Sequence, residues 1–173
     1  MKKFTLAIII TTLISTLFAQ QLPQNNQFLV NRYMFSPTYA GSFGSTSLFI
    51  GYRNERIGFP GSALLNMFSI ETPLNGKMAL GGRLLYDQVD VFKQLYSSLS
   101  YTYKVKITED QQLNFAIWAG IYENTFNFPE DDYEAIFRDP VVRDRMNEKG
   151  TGMNTGAGLL YQYKKFRFGF DVP

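Results

Sequence analysis

The sequence contains no cysteine and no histidine. Without cysteine there is no disulfide framework, no thiolate metal cluster, no thiol nucleophile and no lipid-modified cysteine behind a leader. Without histidine the commonest general base and metal ligand is gone, and a serine triad cannot be assembled in the usual way. The residue inventory therefore points away from an enzyme and implies no cofactor and no metal. Charge of one sign is also scarce: 17 basic residues face 15 acidic ones for a formal +2, and Lys2 and Lys3 fall in a leader-like stretch, so the remainder is close to neutral. Nothing here recruits nucleic acid by bulk charge. Long apolar runs are missing beyond the first residues, so any membrane residence must rest on strands rather than helices.

The first 19 residues carry two lysines, an apolar run from Phe4 to Phe18 diluted by Thr and Ser, and then Ala19-Gln20. This is the pattern of a signal peptide, although Leu17 occupies a position where a small residue is usual. A retained N-terminal anchor is the alternative. Residues 20–45 form an N-terminal segment that starts polar and becomes NRYMFSPTYAGS, punctuated by Pro37 and Gly41. It reads as irregular but adhesive.

What the chain does have is aromatics, at 16%, and 14 glycines. Leu113 to Glu123, LNFAIWAGIYE, shows why this matters. Leu113, Phe115, Ile117, Ala119 and Ile121 alternate with Asn114, Ala116, Trp118, Gly120 and Tyr122, the period of two that puts successive side chains on opposite faces of a strand. The stretch is longer than the usual soluble strand of about 5 or 6 residues and matches the roughly 9 to 11 that cross a bilayer at a tilt. A wholly apolar face opposed by a small and polar one suits lipid outside and a filled or wet interior.

The same alternation recurs in residues 46–53, 63–72, 78–87, 95–105, 153–163 and 166–172. The expected fold is all-β, an antiparallel up-and-down outer-membrane barrel over residues 46–173, with about seven strands. Single-chain bacterial barrels close with an even number from about eight upward, so the stretch reads as the N-terminal half of a longer barrel. Connections 73–77, 106–112 and 164–165 are short, whereas 54–62, 88–94 and 124–152 are expected to be the outward loops, and Tyr101, Tyr103, Tyr161 and Tyr163 gather at the short-turn end as a girdle. The last loop is expected to hold a short helix, with Asp139 as N-cap, Pro140 in its first turn and Gly150 as its stop. A soluble β-sandwich is the competing fold, because alternation alone does not distinguish lipid from a second sheet.

Two segments carry a family resemblance. Asn31 to Ser42, NRYMFSPTYAGS, and Tyr52 to Gly61, YRNERIGFPG, resemble the paired N-terminal signatures of the PorP/SprF family of type IX secretion system membrane proteins. In that family a Y-M-F-N-P-A-Y-A-G-like run precedes a Y-R-N-Q-W-x-G-x-P-G-like one. Ser36 stands where Asn is usual, and Glu55-Arg56 replaces Gln-Trp. The resemblance implies an outer-membrane barrel of a Gram-negative bacterium that supports secretion or surface anchoring of large adhesins, as in gliding. The implied partners are outer-membrane lipid, periplasmic components of the machinery and adhesin-like cargo. A general porin or hydrophobic-solute transporter is the alternative.

Candidate sites follow from both kinds of reading. Tyr33, Met34, Phe35, Pro37, Tyr39 and Gly41 either plug the barrel or dock a periplasmic partner. Arg53, Asn54, Arg56, Gly58, Pro60 and Gly61 form a first outward loop that either meets a partner or seals the mouth. Arg83 and Asp87 share an inward face as a lumen charge pair, for conductance or for filling the interior. The Gly156-Ala157-Gly158 run lies inside a strand and lacks the third glycine of a dinucleotide motif, and Glu130-Asp131-Asp132 lacks the spacing of a calcium loop.

Overall fold

In the computed structural model, residues 29–59, 61–126 and 149–173 are described. The leader, Pro60, the acidic run at 130–132 and most of the expected helix near Asp139 lie outside them. Lys149 and Gly150, expected at the end of that helix, are instead the first residues of a strand.

Seven strands form one sheet in sequence order: β1 (Ser47–Asn54), β2 (Leu64–Pro73), β3 (Met78–Val89), β4 (Phe92–Lys106), β5 (Gln111–Phe126), β6 (Lys149–Tyr163) and β7 (Phe166–Val172). Every neighbouring pair is antiparallel, with the register fixed by the facing residues Leu48↔Ile70, Ile70↔Gly82, Gly82↔Leu99, Leu99↔Ala119, Ala119↔Thr155 and Ala157↔Val172. The sheet is an open meander, and β1 and β7 are its edges.

The alternation seen in the sequence sorts the side chains between two faces. On β4, Tyr96, Ser98, Ser100 and Thr102 are buried, whereas Leu99 on the opposite face is 75% exposed. On β5, Asn114, Ala116 and Trp118 are buried while Phe115, Ile117 and Ile121 stand out. Ile50, Phe68, Leu84, Phe168 and Phe170 extend the same apolar outer face across the other strands. Among the described residues no helix is long and apolar enough to cross a membrane. Strands β4, β5 and β6, of 15, 16 and 15 residues, exceed the roughly 9 to 11 that a tilted crossing needs.

The sheet is strongly coiled. Arg83 on β3 lies within electrostatic reach of Asp171 on β7, although four strand spacings would separate them by roughly 19 Å in a flat sheet. The Tyr96 hydroxyl on β4 likewise leans on Asn154 Oδ1 of β6 at 3.5 Å. Gly120 permits the curvature where β4 and β5 meet, because a Cβ there would run into the carbonyl of Ser97.

One connection and the N-terminal segment differ from expectation. Residues 88–94 are expected as an outward loop, yet β3 and β4 continue through most of them and turn at Asp90-Val91. Asp90 makes that turn with φ of 55°, a left-handed conformation that Asp tolerates better than most residues. Polar residues at the wet end of a long strand have the composition of a loop. Beyond the turn, Phe92 and Phe126 pack with ring centroids 5.2 Å apart, carrying β4 and β5 further in the same direction. The N-terminal segment is also less irregular than its sequence suggests. It contains a single helical turn, α1 (Arg32–Phe35), and a 3-10 turn over Pro37–Tyr39.

Candidate functional site

The N-terminal segment occupies the concave side of the sheet. Local chemistry shapes it first: Asn31 Oδ1 accepts the Met34 N–H at 3.0 Å to cap α1, and Ser36 Oγ accepts the Thr38 N–H at 3.3 Å ahead of Pro37. Gly41 then reverses the chain at φ of 65°, and a Cβ on it would stand 2.7 Å from Ala79 Cβ, so both the conformation and the space require glycine.

Side chains from the strands satisfy the backbone that this segment presents. Arg83 Nη1 donates to the Met34 carbonyl at 3.2 Å, Thr102 Oγ1 to that of Pro37 at 2.8 Å, and Asn114 Nδ2 to that of Thr38 at 2.9 Å. Glu71 Oε2 accepts the Gly41 N–H at 2.6 Å, while Lys104 Nζ donates to the Gly41 carbonyl at 2.5 Å. The side chain of Asn31 donates to Ser69 Oγ at 2.8 Å, and the Tyr33 hydroxyl shares a hydrogen bond with Ser100 Oγ at 2.9 Å. These bonds reach β2, β3, β4 and β5. Buried carbonyls and amides would otherwise cost roughly 1–3 kcal/mol each when left unpaired.

Apolar contacts complete the seat. Met34 enters a cluster with Leu65, Met67, Leu85 and Tyr96, and Tyr33 packs with Ala40 and Ala79. The Tyr33 ring lies directly over Gly81, leaving no room for a Cβ there. Burial pushes the Tyr33 phenol up to about 12, against partial relief from its Ser100 hydrogen bond and the Arg83 charge. Pro37 and Gly41 are also buried, Tyr39 is half-buried, and Phe35 points out at 67% exposure.

Glycines on β6 make space of a similar kind. Trp118 lies over Gly156, its partner in the ladder, and Tyr122 lies over Gly152 in the same way. Gly158 faces Asp171 and the methyl of Thr38. The Gly156-Ala157-Gly158 run thus accommodates an aromatic on one rung and the inner segment on another.

The family model described as type IX secretion system membrane protein PorP/SprF matches residues 17–173. The chain belongs to the PorP/SprF family. No curated protein and no solved structure matches it. PorP/SprF proteins are membrane components of the type IX secretion system.

The second PorP/SprF signature lies at the opposite end from Gly41. Arg53 Nε pairs with Glu55 Oε1 at 3.3 Å, and Asn54 Oδ1 accepts from Ser62 Oγ at 3.3 Å. Arg56, Gly58 and Gly61 all have positive φ, of 59°, 94° and 71°. Gly61 sits where a Cβ would be 2.7 Å from Asp90 Oδ1, so the loop folds down on the β3–β4 turn. Ile57 and Phe59 remain exposed at its tip, and Pro60 lies outside the described residues.

Arg83 and Asp87 are not partners. Arg83 is 5% exposed and donates to Ser98 Oγ at 2.9 Å, Tyr96 Oη at 3.2 Å and the Met34 carbonyl, with its guanidinium 5.4 Å from the Tyr96 ring centre. Arg53 on β1 provides the attractive charge felt by Asp87. Two residues four apart on one strand face the same way but are about 13 Å apart along it, so each finds its partners across the ladder.

Sequence reasoning missed the residues that hold the inner segment: Glu71, Ser100, Thr102, Lys104 and Asn114. Their available signal was a polar side chain at an inward position within a few residues of a short turn. An apolar cleft of about 550 Å³, between Phe68, Ile70, Leu84, Leu99, Ile121 and Met153, lies on the convex face and is separate from the inner segment.

Proposed function

We propose that this protein is an outer-membrane barrel component of the type IX secretion machinery, supporting secretion or surface anchoring of large adhesin-like cargo, and that residues 31–44 act as a fixed inner plug. Under this reading the apolar convex face meets lipid, the short turns face the periplasm and the loop signature around Arg53 and Gly61 faces outward. The leader-like first 19 residues direct export, and periplasmic machinery components are the partners.

The observation that carries the reading is the stitching of residues 31–41 to four strands through both backbone and side chains. A conducting porin needs a wet lumen, whereas here the concave side is filled by a segment whose polar groups are already satisfied. The convex cleft provides apolar surface without a path through the interior, which disfavours a hydrophobic-solute transporter. Planar-bilayer recordings together with affinity capture from envelope extracts test this. A closed barrel that co-purifies with secretion components and adhesin termini supports assembly; steady ion or solute flux without such capture supports the porin alternative.

A further inference from the structure

The two ends of the sheet differ in charge. At the long-loop end, Arg53, Arg56, Lys93 and Lys149 are matched by Glu55, Asp87, Asp90 and Glu123, with ion pairs Arg53–Glu55 at 3.3 Å and Lys149–Glu123 at 2.8 Å. At the short-turn end the balance is cationic. A cleft of about 270 Å³ at this mouth is lined by Arg32, Lys104 and Arg167, with Glu71 as its carboxylate. A second cleft shares Lys104, Gln112 and Gly76 with the first and adds Lys77 and Lys106. Glu71 and Lys104 are both tied to Gly41, through its N–H and its carbonyl, and of the neighbouring turn acids Glu109 and Asp110 the second faces Lys164 at 3.8 Å. Arg32, Lys77, Lys106 and Arg167 form no ion pair among the described residues.

We infer that this mouth is a docking surface for a carboxylate-rich polypeptide segment of a partner protein. The cations lie inside the rim: Lys104 shares the inward face with Thr102, and Arg167 shares it with Gly169 and Asp171. Lipid headgroups would meet charges on the convex belt, where Tyr101, Tyr103 and Tyr161 stand instead. A chain segment can enter the concave mouth and place successive carboxylates near Arg32, Lys104 and Arg167. Gln112 and Gln162 in the same cleft offer amide donors to its backbone carbonyls. The fixed inner segment forms the floor, so the partner binds at the entrance without threading through. This inference extends the proposed function, but its geometry does not depend on which cargo is served.

The test uses the full chain in nanodiscs of zwitterionic lipid and a fluorescein-labelled hexaglutamate peptide, with labelled hexalysine as control, read by anisotropy. Hexaglutamate is expected to bind, to weaken as salt rises from about 0.05 to 0.3 M, and to lose affinity about tenfold in the Arg32→Glu/Arg167→Glu double variant. Arg167→Gln, which removes one exposed charge and a 3.5 Å hydrogen bond to Gln162, gives a smaller loss of about threefold and covers the case in which charge reversal costs the fold. Equal binding of hexalysine, affinity indifferent to both variants, or absence of hexaglutamate binding at low salt overturns the proposal. Hexaglutamate binding that is abolished when anionic lipid is added to the nanodiscs assigns the charge to headgroups and overturns it as well. A porin-like conductance would sink the proposed function while leaving this result intact.

Discussion

Tyr33 and Gly81 show how much of the inner plug depends on one atom. The ring occupies the space that a Cβ at Gly81 would need, so Gly81→Ala must displace the phenol or bend β3. Overpacking of this kind typically costs about 1–3 kcal/mol. Gly81→Ala should therefore lower the urea midpoint in lipid vesicles and speed proteolysis near Tyr33, whereas alanine at Gly76, with open space around it, should do neither. The phenol also has a pH signature. Its folded value of about 12 lies above the ordinary 10, so its contribution is present below pH 10 and fades as pH rises toward 12. Tyr33→Phe should flatten that part of the stability-pH curve relative to wild type, and unchanged curvature would remove Tyr33 as its source. At this scale the sequence was only partly legible: it placed Arg83 on an inward face but could not say that Met34, Ser98 and Tyr96 would meet it.

Individual strands were easier to read. Leu113 to Ile121 displays its two faces in its residue types, and the structure sorts them as the period of two requires. Strand ends were harder, because Gln88, Asp90 and Lys93 are polar whether they form a loop or the wet tip of a hairpin. The outer face of β5 provides a direct test of what it meets. Ile121 is 53% exposed and sits between Ser97 and Met153 in the ladder, away from the tyrosine girdle. If hydrocarbon surrounds it near the bilayer middle, Ile121→Arg should cost about 2–4 kcal/mol in vesicles. A water-facing site would tolerate the change within about 0.5 kcal/mol. Chemical denaturation from vesicles separates these outcomes, and a near-neutral result would favour the sandwich alternative.

For the whole molecule, the edges β1 and β7 and the coiling of the sheet matter together. Unpaired strand edges are costly in lipid, so a stable membrane form must pair them with further strands, from the same or another chain. The folded protein should accordingly migrate differently in detergent gels before and after boiling. Identical migration, with solubility in the absence of detergent, would count against the membrane barrel. The coiling itself was not legible, because alternation fixes which way a side chain points but not how far a sheet curls; the Arg83–Asp171 approach reveals it.

The inner segment also constrains the order of assembly. Thr38 bonds Asn114 across 76 residues, and its methyl packs over Gly158 still later in the chain. Residues that precede every strand thus cannot settle fully until β5 and β6 have formed. Tyr33 and Met34, whose partners lie on β2, β3 and β4, stay exposed until those three strands are in place, and a membrane insertion that outran them would leave both side chains stranded outside their own cradle.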